Sequence, residues 1–314
     1  MSHYLARRLL LVVPTLIGVS MVVFALVRLL PGDAVTMLMQ EYAYAKDADE
    51  MRQKLGLDRP IAVQYLDWLG DVVRGDLGTS LRSKTAVVDE LAKRLPVTAE
   101  LGALGLMFGL LISIPIGVIS AVRQDTAIDY VARSMAIAFL SIPGFWLGTL
   151  VVTLPSIWWR WTPPLRYTSL AEDPLKNLAQ MVIPAIILGI GLSGGVMRLT
   201  RAQMLEVLRQ DYLLTAAAKG LAEWAMVFRH ALKNAFIPVL TLLGLQVAIL
   251  VSGTVVLENI FVLPGIGRYL LEAVQYRDYP VIQGINLVFA TVIVFANLLV
   301  DLCYGWLDPR VRYR

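Results

Sequence analysis

Six long uncharged stretches run along this chain, separated by segments in which the charged residues collect. They are Leu9–Val27, Leu101–Val122, Ser134–Trp159, Asn177–Met197, Asn234–Leu257 and Tyr279–Val300. Each is close to or above the ~20 residues a helix needs to cross a ~30 Å hydrocarbon layer, and buried helices of soluble proteins are usually shorter. The pattern therefore predicts an all-α polytopic membrane protein with six transmembrane helices. It divides the chain into a first span (1–30), a long polar segment (31–97), a core of five further spans (98–304) and a short tail (305–314).

Composition agrees with that division. With 57% hydrophobic and only 17% charged residues, the 314-residue chain carries more apolar surface than a water-soluble core of that length can hide. An even number of spans puts both termini on one side. If that side is the cytoplasm, the inward segments are net basic and the rest is net acidic. Arg7, Arg8, Arg123 and the C-terminal arginines lie in the short segments near span ends, where such charge matters most. Both ends inside is the expected orientation. A cleavable signal peptide fits Arg7–Arg8 poorly, because the uncharged run after them is too long and no small-x-small site follows. The single cysteine, Cys303, excludes a disulfide framework or a thiolate metal cluster.

The segment between spans one and two reads as an acidic helix near Asp47–Leu55, a break at Gly56–Pro60, and a second helix from about Ala62 to Val73. In the second helix Val63, Leu66, Leu69 and Val73 recur at helical spacing, with Trp68 beside them. Gly75, Gly78 and Ser80 then mark a turn. A small cap on the outer membrane face is favoured over a separate binding domain, since sixty-odd residues without disulfides make a marginal independent core.

The most informative segment lies between spans four and five. Residues 199–233 are too charged for a seventh span. Asp211–Lys219 is a good helix former, Gly220 interrupts it, and a second helix resumes at about Ala222. Gly220 permits a sharp turn because it lacks a Cβ. Trp224, Phe228 and Leu232 recur every four residues as an apolar stripe, with Glu223, His230 and Lys233 opposite. Ala216, Ala217 and Ala218 offer a thin surface that another backbone can approach closely. Spacing alone fits a partner-docking hairpin and an amphipathic hairpin lying on anionic headgroups equally well.

The residues of this loop resemble a known pattern, D-Y-x-x-T-A-x-A-K-G-L followed by R-H-A-L-x-N-A-x-x-P-V. The matches are Asp211, Tyr212, Thr215, Ala216, Ala218, Lys219, Gly220 and Leu221, then Arg229, His230, Ala231, Leu232, Asn234, Ala235, Pro238 and Val239. This is similar to the EAA loop of type I ATP-binding cassette (ABC) importer permeases, in the peptide/nickel/glutathione branch typified by dipeptide and oligopeptide permease B. Two positions depart from it. Leu214 stands where the general motif is acidic, and Ala217 stands where a basic residue is frequent. The resemblance extends to Leu30-Pro31-Gly32-Asp33, Leu55-Gly56-Leu57-Asp58, Gly75-Asp76-Leu77-Gly78, Ser141-Ile142-Pro143, ENIFVLPGIGR at Glu258–Arg268, and Leu307-Asp308-Pro309-Arg310. It covers essentially the whole chain.

The resemblance implies the type I permease fold with an extracytoplasmic insertion between helices one and two. It implies half of a pore, completed by a second homologous permease in a bacterial or archaeal cytoplasmic membrane. Two P-loop ATPases that bind ATP and Mg, and an extracytoplasmic substrate-binding protein, are the further partners expected. Asp211, Tyr212, Thr215, Ala216, Ala218, Lys219, Gly220, Arg229, His230, Leu232 and Asn234 would form the ATPase-coupling helix. Glu258, Pro264, Gly265, Gly267, Arg268 and Asp278 would shape the outer mouth, although a re-entrant connector is the plainer alternative. The chain lacks a G-x-x-x-x-G-K-[S/T] phosphate cradle, so no catalytic residue or cofactor is expected in it.

Polar residues inside the spans are costly in lipid and should face protein or water. Gln246 and Ser252 in span five and Gln283 and Asn286 in span six are the candidates for a substrate pathway, and interhelical hydrogen bonding is the competing explanation. His3 and His230 have no carboxylates at ligand spacing, so no metal site is indicated. The basic balance follows from the inner-face arginines and calls for no nucleic acid. A secondary transporter would be expected to show mid-membrane ionisable residues and inverted repeats; an intramembrane enzyme would need a nucleophile–base pair or a metal motif. Neither set is visible. Cargo is open among di- and oligopeptides, glutathione and nickel chelates.

Overall fold

A computed structural model describes residues 2–29, 58–164 and 166–307, and is almost wholly helical. The expected acidic helix near Asp47–Leu55, the motif at Leu30–Asp33 and the tail from Asp308 onward lie outside the described residues. The helices are α1 (Ser2–Leu29), α2 (Ile61–Val73), α3 (Val87–Val122), α4 (Ala127–Ser141), α5 (Gly144–Trp159), α6 (Pro174–Leu208), α7 (Asp211–Ala218), the single turn α8 (Glu223–Ala225), α9 (Leu232–Ile260), α10 (Ile266–Gln275) and α11 (Tyr279–Leu307). A six-residue π-helical turn, Met226–Ala231, joins α8 to α9.

Among the described residues, five helical stretches are long and apolar enough to span a membrane, and a sixth span follows if α4 and α5 are counted together. The expected third span, Ser134–Trp159, is thus not one straight helix, because α4 and α5 meet at 89°. The cause is local. Pro143 has no N–H to continue the ladder, and Ile142 before it is extended at φ −86°, ψ 116°. The Ile142 N–H closes α4 on Ala138, and the Leu147 N–H opens α5 on Pro143.

The chain divides into two compact units. The first comprises Val97–Leu263 and 296–307. In it α3 and α6 lie backbone against backbone along a ladder of glycines. A Cβ on Gly189 would come within 2.8 Å of the Gly109 nitrogen and 2.9 Å of the Gly105 oxygen. A Cβ on Gly117 would come within 2.8 Å of Thr200, and one on Gly194 within 2.6 Å of the Ala136 carbonyl on α4. Leu101, Met181, Ala185, Leu188, Leu192 and Leu257 fill the core around this crossing. Small residues at a helix interface are what close packing in lipid requires, because hiding apolar surface drives little association there. Asp173 starts α6 by accepting from the Lys176 N–H (3.2 Å), with Pro174 at the first helical position.

The second unit comprises the described residues of 2–96 and Pro264–Phe295. Val27, Val87, Leu91, Ile266, Ala273, Val281 and Ile285 form its core. Helix α2 rests on α1 through Tyr65 and Trp68, whose rings lie 5.5 and 5.6 Å from that of Phe24. The expected apolar stripe of α2 points mainly the other way: Val63, Leu66 and Val73 are exposed, and α2 has no fully buried residue. Aromatic rings at 65 and 68 reach the neighbouring helix, whereas the aliphatic stripe lies largely off that line of contact.

The glycine ladder predicts a sharp contrast. Gly189→Val should destabilise the purified chain by about 2 kcal/mol, the usual scale of overpacking. Gly191→Ala, where an added Cβ meets nothing within 4 Å, should melt no lower than wild type. Thermal unfolding in detergent, followed by tryptophan fluorescence, checks both.

Candidate functional site

The loop after α6 folds as a helix, a glycine turn and a second helix. Only Leu213 of α7 is buried; it packs with Val118, Ala121, Met204, Val207, Val227, Ala231 and Ala235. At the end of α7 the Gly220 N–H bonds the Ala217 carbonyl (2.9 Å) and the Leu221 N–H bonds that of Ala216 (3.2 Å). This paired closure needs a left-handed residue, and Gly220 supplies it at φ +80°. Nothing lies within 4 Å of a Cβ placed there, so the glycine answers to backbone conformation and not to packing inside this chain.

The returning helix begins at Glu223 and widens through the π turn, a feature that often marks functional sites. Its buried side is small: Ala225, Val227, Ala231 and Ala235. The expected apolar stripe faces outward for two of its three members, Trp224 being 68% and Phe228 59% exposed, while Leu232 is half-buried. Asn234 ties the two arms together, its Nδ2 donating to the Tyr212 hydroxyl (2.8 Å) and the His230 carbonyl (3.1 Å). The Thr215 hydroxyl donates to the Asp211 carbonyl. Asp211, Thr215, Ala218, Lys219, Gly220, Arg229 and His230 are exposed, and Ala216 is partly covered. Among the described residues Lys219 and Arg229 form no ion pair. Leu214 and Ala217, the two departures from the motif, are exposed as well. A cleft of about 450 Å³ runs between α7, the end of α6 and the turn at Ala121–Gln124.

Above the loop an ionic lock holds α4 to α6. Asp129 is wholly buried and accepts Arg201 Nε and Nη2, both at 2.7 Å. The Ser120 hydroxyl (2.6 Å) and the Asp125 N–H (3.0 Å) complete its shell. From sequence, both residues read only as charges of the inward segments. The Thr126-x-x-Asp129 spacing, typical of a helix start, was the available signal that Asp129 turns back toward the chain.

The four pathway candidates are placed very differently. Gln246 is buried, its Nε2 3.3 Å from where a Cβ on Gly195 would lie, and its Oε1 has no partner. Ser252 is exposed and bonds the Ala248 carbonyl of its own helix, which satisfies the hydroxyl without a neighbour. Gln283 is buried in the second unit, while half-buried Asn286 donates to Ile282 of its own helix. Among the described residues, the four do not line one polar wall within either unit.

The outer-loop residues need one correction. Glu258, which follows the expected span Asn234–Leu257, lies not in the outer loop but in the last turns of α9, fully buried, and accepts the Thr98 hydroxyl at 2.7 Å. The helix runs on because Glu258 has a polar partner waiting on α3. Pro264 and Gly265 precede α10, where Gly267 is buried and Arg268 pairs with Glu272 at 3.2 Å. Buried Asp278 organises the turn after α2, accepting the Ser80 hydroxyl, the Leu81 N–H (3.0 Å) and the Arg82 N–H (3.4 Å). Sequence reasoning gave no hint of a further cluster. Buried Asn177 donates to Glu100, to the Tyr167 hydroxyl and to the Thr168 carbonyl, and the Tyr167 hydroxyl donates to Glu100. Burial, then the nearby Glu100 carboxylate, push the Tyr167 phenol up to about 12. Among the described residues no group of three or more His, Cys, Asp or Glu side chains is placed to hold a metal.

These features define a multi-span helical membrane protein with a structured polar loop between α6 and α9 whose cations and large apolar side chains are exposed. Comparison with known proteins gives the family. A family model described as "Binding-protein-dependent transport system inner membrane component" matches residues 113–313, and its N-terminal counterpart matches residues 1–102. The chain is 39% identical over 338 aligned positions to the "Dipeptide transport system permease protein DppB" of Escherichia coli (strain K12), covering 100% of both chains. It is 38% identical over 316 positions to the "Oligopeptide transport system permease protein AppB" of Bacillus subtilis (strain 168), again covering 100% of both. The chain belongs to the binding-protein-dependent transport system inner membrane components. It is therefore a transport subunit of an ABC importer and not an enzyme, with ATPase activity residing in separate subunits.

Two predictions follow from the buried polar groups. Asp129→Ala should cost about 3 kcal/mol, because it removes the joint between α4 and α6 and leaves the part-buried Arg201 guanidinium unpaired. Arg201→Ala should cost at least as much, because it leaves the wholly buried Asp129 carboxylate with two neutral donors and no compensating charge; melting temperatures in detergent compare the two. For Tyr167, the folded state resists ionisation, so the unfolded chain loses the phenolic proton first. Stability should then fall as pH rises from about 10 toward 12, and Tyr167→Phe should remove that part of the loss in alkaline unfolding curves.

Proposed function

We propose that this chain is the permease half of an ATP-driven peptide importer, moving di- or oligopeptides across a bacterial cytoplasmic membrane. Support for the cargo comes from the peptide-transport names of relatives aligned over the full chain. Glutathione and nickel chelates are the alternatives in the same branch. A second homologous permease completes the pore, and both termini lie in the cytoplasm, as the arginines at the span ends favour. ATP and Mg act in the partner ATPases, and the extracytoplasmic binding protein delivers cargo near the outer-loop residues.

The observation that carries this reading is the loop at 199–233. Asp211, Tyr212, Thr215, Ala216, Ala218, Lys219, Gly220, Arg229, His230, Leu232 and Asn234 form the coupling helix. Trp224, Phe228, Lys219 and Arg229 stand exposed, as a docking surface requires, while Leu213, Val227 and Ala231 anchor the loop to the helices it must move. With Leu214 in place of an acid, the docking is apolar and cationic on this side. Closure of the ATPases on nucleotide would push the loop as a unit and tilt α6 and α9, switching the site between outward and inward access.

Replacement of Gly220 separates the roles of backbone and surface. Gly220→Ala should cost about 1 kcal/mol of left-handed strain and keep most uptake. Gly220→Trp adds bulk where this chain has open space, so it should reach the membrane but uncouple ATP hydrolysis from uptake. Uptake of labelled dipeptide and ATPase activity in vesicles decide it. Normal uptake by a well-expressed Gly220→Trp chain would defeat the coupling assignment. Uptake of glutathione or a nickel chelate in place of peptides would defeat the cargo.

A further inference from the structure

A cavity of about 780 Å³ opens between α4, α6 and α9 in the first unit, and three arginines line it: Arg133, Arg198 and Arg201. They are not equivalent. Arg201 is neutralised by Asp129 and forms a fixed wall. Arg198 is exposed and makes no hydrogen bond or ion pair among the described residues. Arg133 is exposed and sits only over the Tyr130 ring, at 5.6 Å. No acidic side chain lines the cavity, so two cations face it uncompensated. Its remaining wall is small or apolar, including Gly195, Ile137 and Leu242. Behind Gly195 lies the buried Gln246 carboxamide, whose oxygen has no partner.

The level of the cavity in the membrane narrows the ligand. Arg133 immediately precedes the uncharged run Ser134–Trp159, and Arg198 immediately follows the run Asn177–Met197. With α4 and α5 taken together as one span, both stand where hydrocarbon gives way to headgroups, on the same side of the bilayer, since the chain reverses between those runs. A cleft with two free guanidiniums at headgroup depth and aliphatic side chains beside them matches an anionic phospholipid: phosphate oxygens on the arginines, acyl chains along Ile137 and Leu242. We propose that this cleft is a binding site for the headgroup of an anionic phospholipid, held by Arg133 and Arg198. The bound lipid links α4, α6 and α9 on the face that leads to the loop, and neutralises charge that would otherwise repel within the cleft.

The test is binding of a fluorescent short-chain phosphatidylglycerol to the full chain, purified in its complex in neutral detergent and followed by anisotropy. Unlabelled phosphatidylglycerol should compete and phosphatidylcholine should not. Arg133→Gln with Arg198→Gln should weaken binding about 25-fold, since each basic side chain near a membrane surface contributes about a fivefold factor. The paired lysine substitutions should keep most of the affinity. Both arginines are exposed, so the glutamine pair should melt like wild type. Equal affinity in wild type and the glutamine pair overturns the proposal, as does equal competition by phosphatidylcholine. Displacement of the lipid by a peptide with a free carboxylate, but not by its amide, would also overturn it and assign the cleft to cargo. Lipid binding without any peptide uptake would leave the proposal standing and remove only the peptide reading.

Discussion

Helices in hydrocarbon gain little by hiding apolar surface from one another, so what holds them is the distance to which their backbones can approach. In this chain that distance is set by glycine. Gly105, Gly109 and Gly117 on α3 meet Leu188, Gly189 and Thr200 on α6, and Gly194 brings α6 onto the carbonyls of α4. Dispersion contacts and weak backbone interactions accumulate only at such separations. The rest of the first unit follows from this crossing. Large side chains such as Met181 and Leu101 fill the flanks, and the loop after α6 hangs from a helix that is already fixed.

Among the described residues, the buried carboxylates Asp129, Glu258 and Asp278 each have a polar partner. Asp129 takes two nitrogens of one guanidinium, a hydroxyl and a backbone N–H, which is close to the full capacity of a carboxylate. Asp278 does the same work in the second unit with the turn at Ser80–Arg82. In both places the carboxylate fixes a turn against a helix. Such a joint holds only if every partner stays, which suits positions meant to be rigid. The surface of the loop is the opposite: its cations and large apolar side chains are left open, and its underside is sewn down by small residues.

The six apolar runs, the glycine break in the loop and the helix on either side of it were legible from sequence because each depends on local composition. The family resemblance was legible for the same reason, as it rests on residues near one another in the chain. Three features were not. The bend at Ile142–Pro143 was visible as a proline, but its angle depends on how α4 and α5 pack. Glu258 follows the uncharged run Asn234–Leu257 and so reads as lying past the span, yet it stays helical and buried, where Thr98, distant in the chain, meets it. The stripe Trp224–Phe228–Leu232 has the spacing of a buried face, yet the small residues beside it take the interior.

Sequence by itself determined which segments are apolar enough to enter a membrane, where the charged boundaries fall, and where a left-handed turn is affordable at Gly220. Those are properties of consecutive residues and of their transfer into lipid. Tertiary structure alone decided which face of each helix is inward, which carboxylate meets which guanidinium, and which arginines are left to line an open cleft. Those outcomes turn on contacts between residues far apart in the chain, such as Asp129 with Arg201 and Gly109 with Gly189, and no local pattern encodes them.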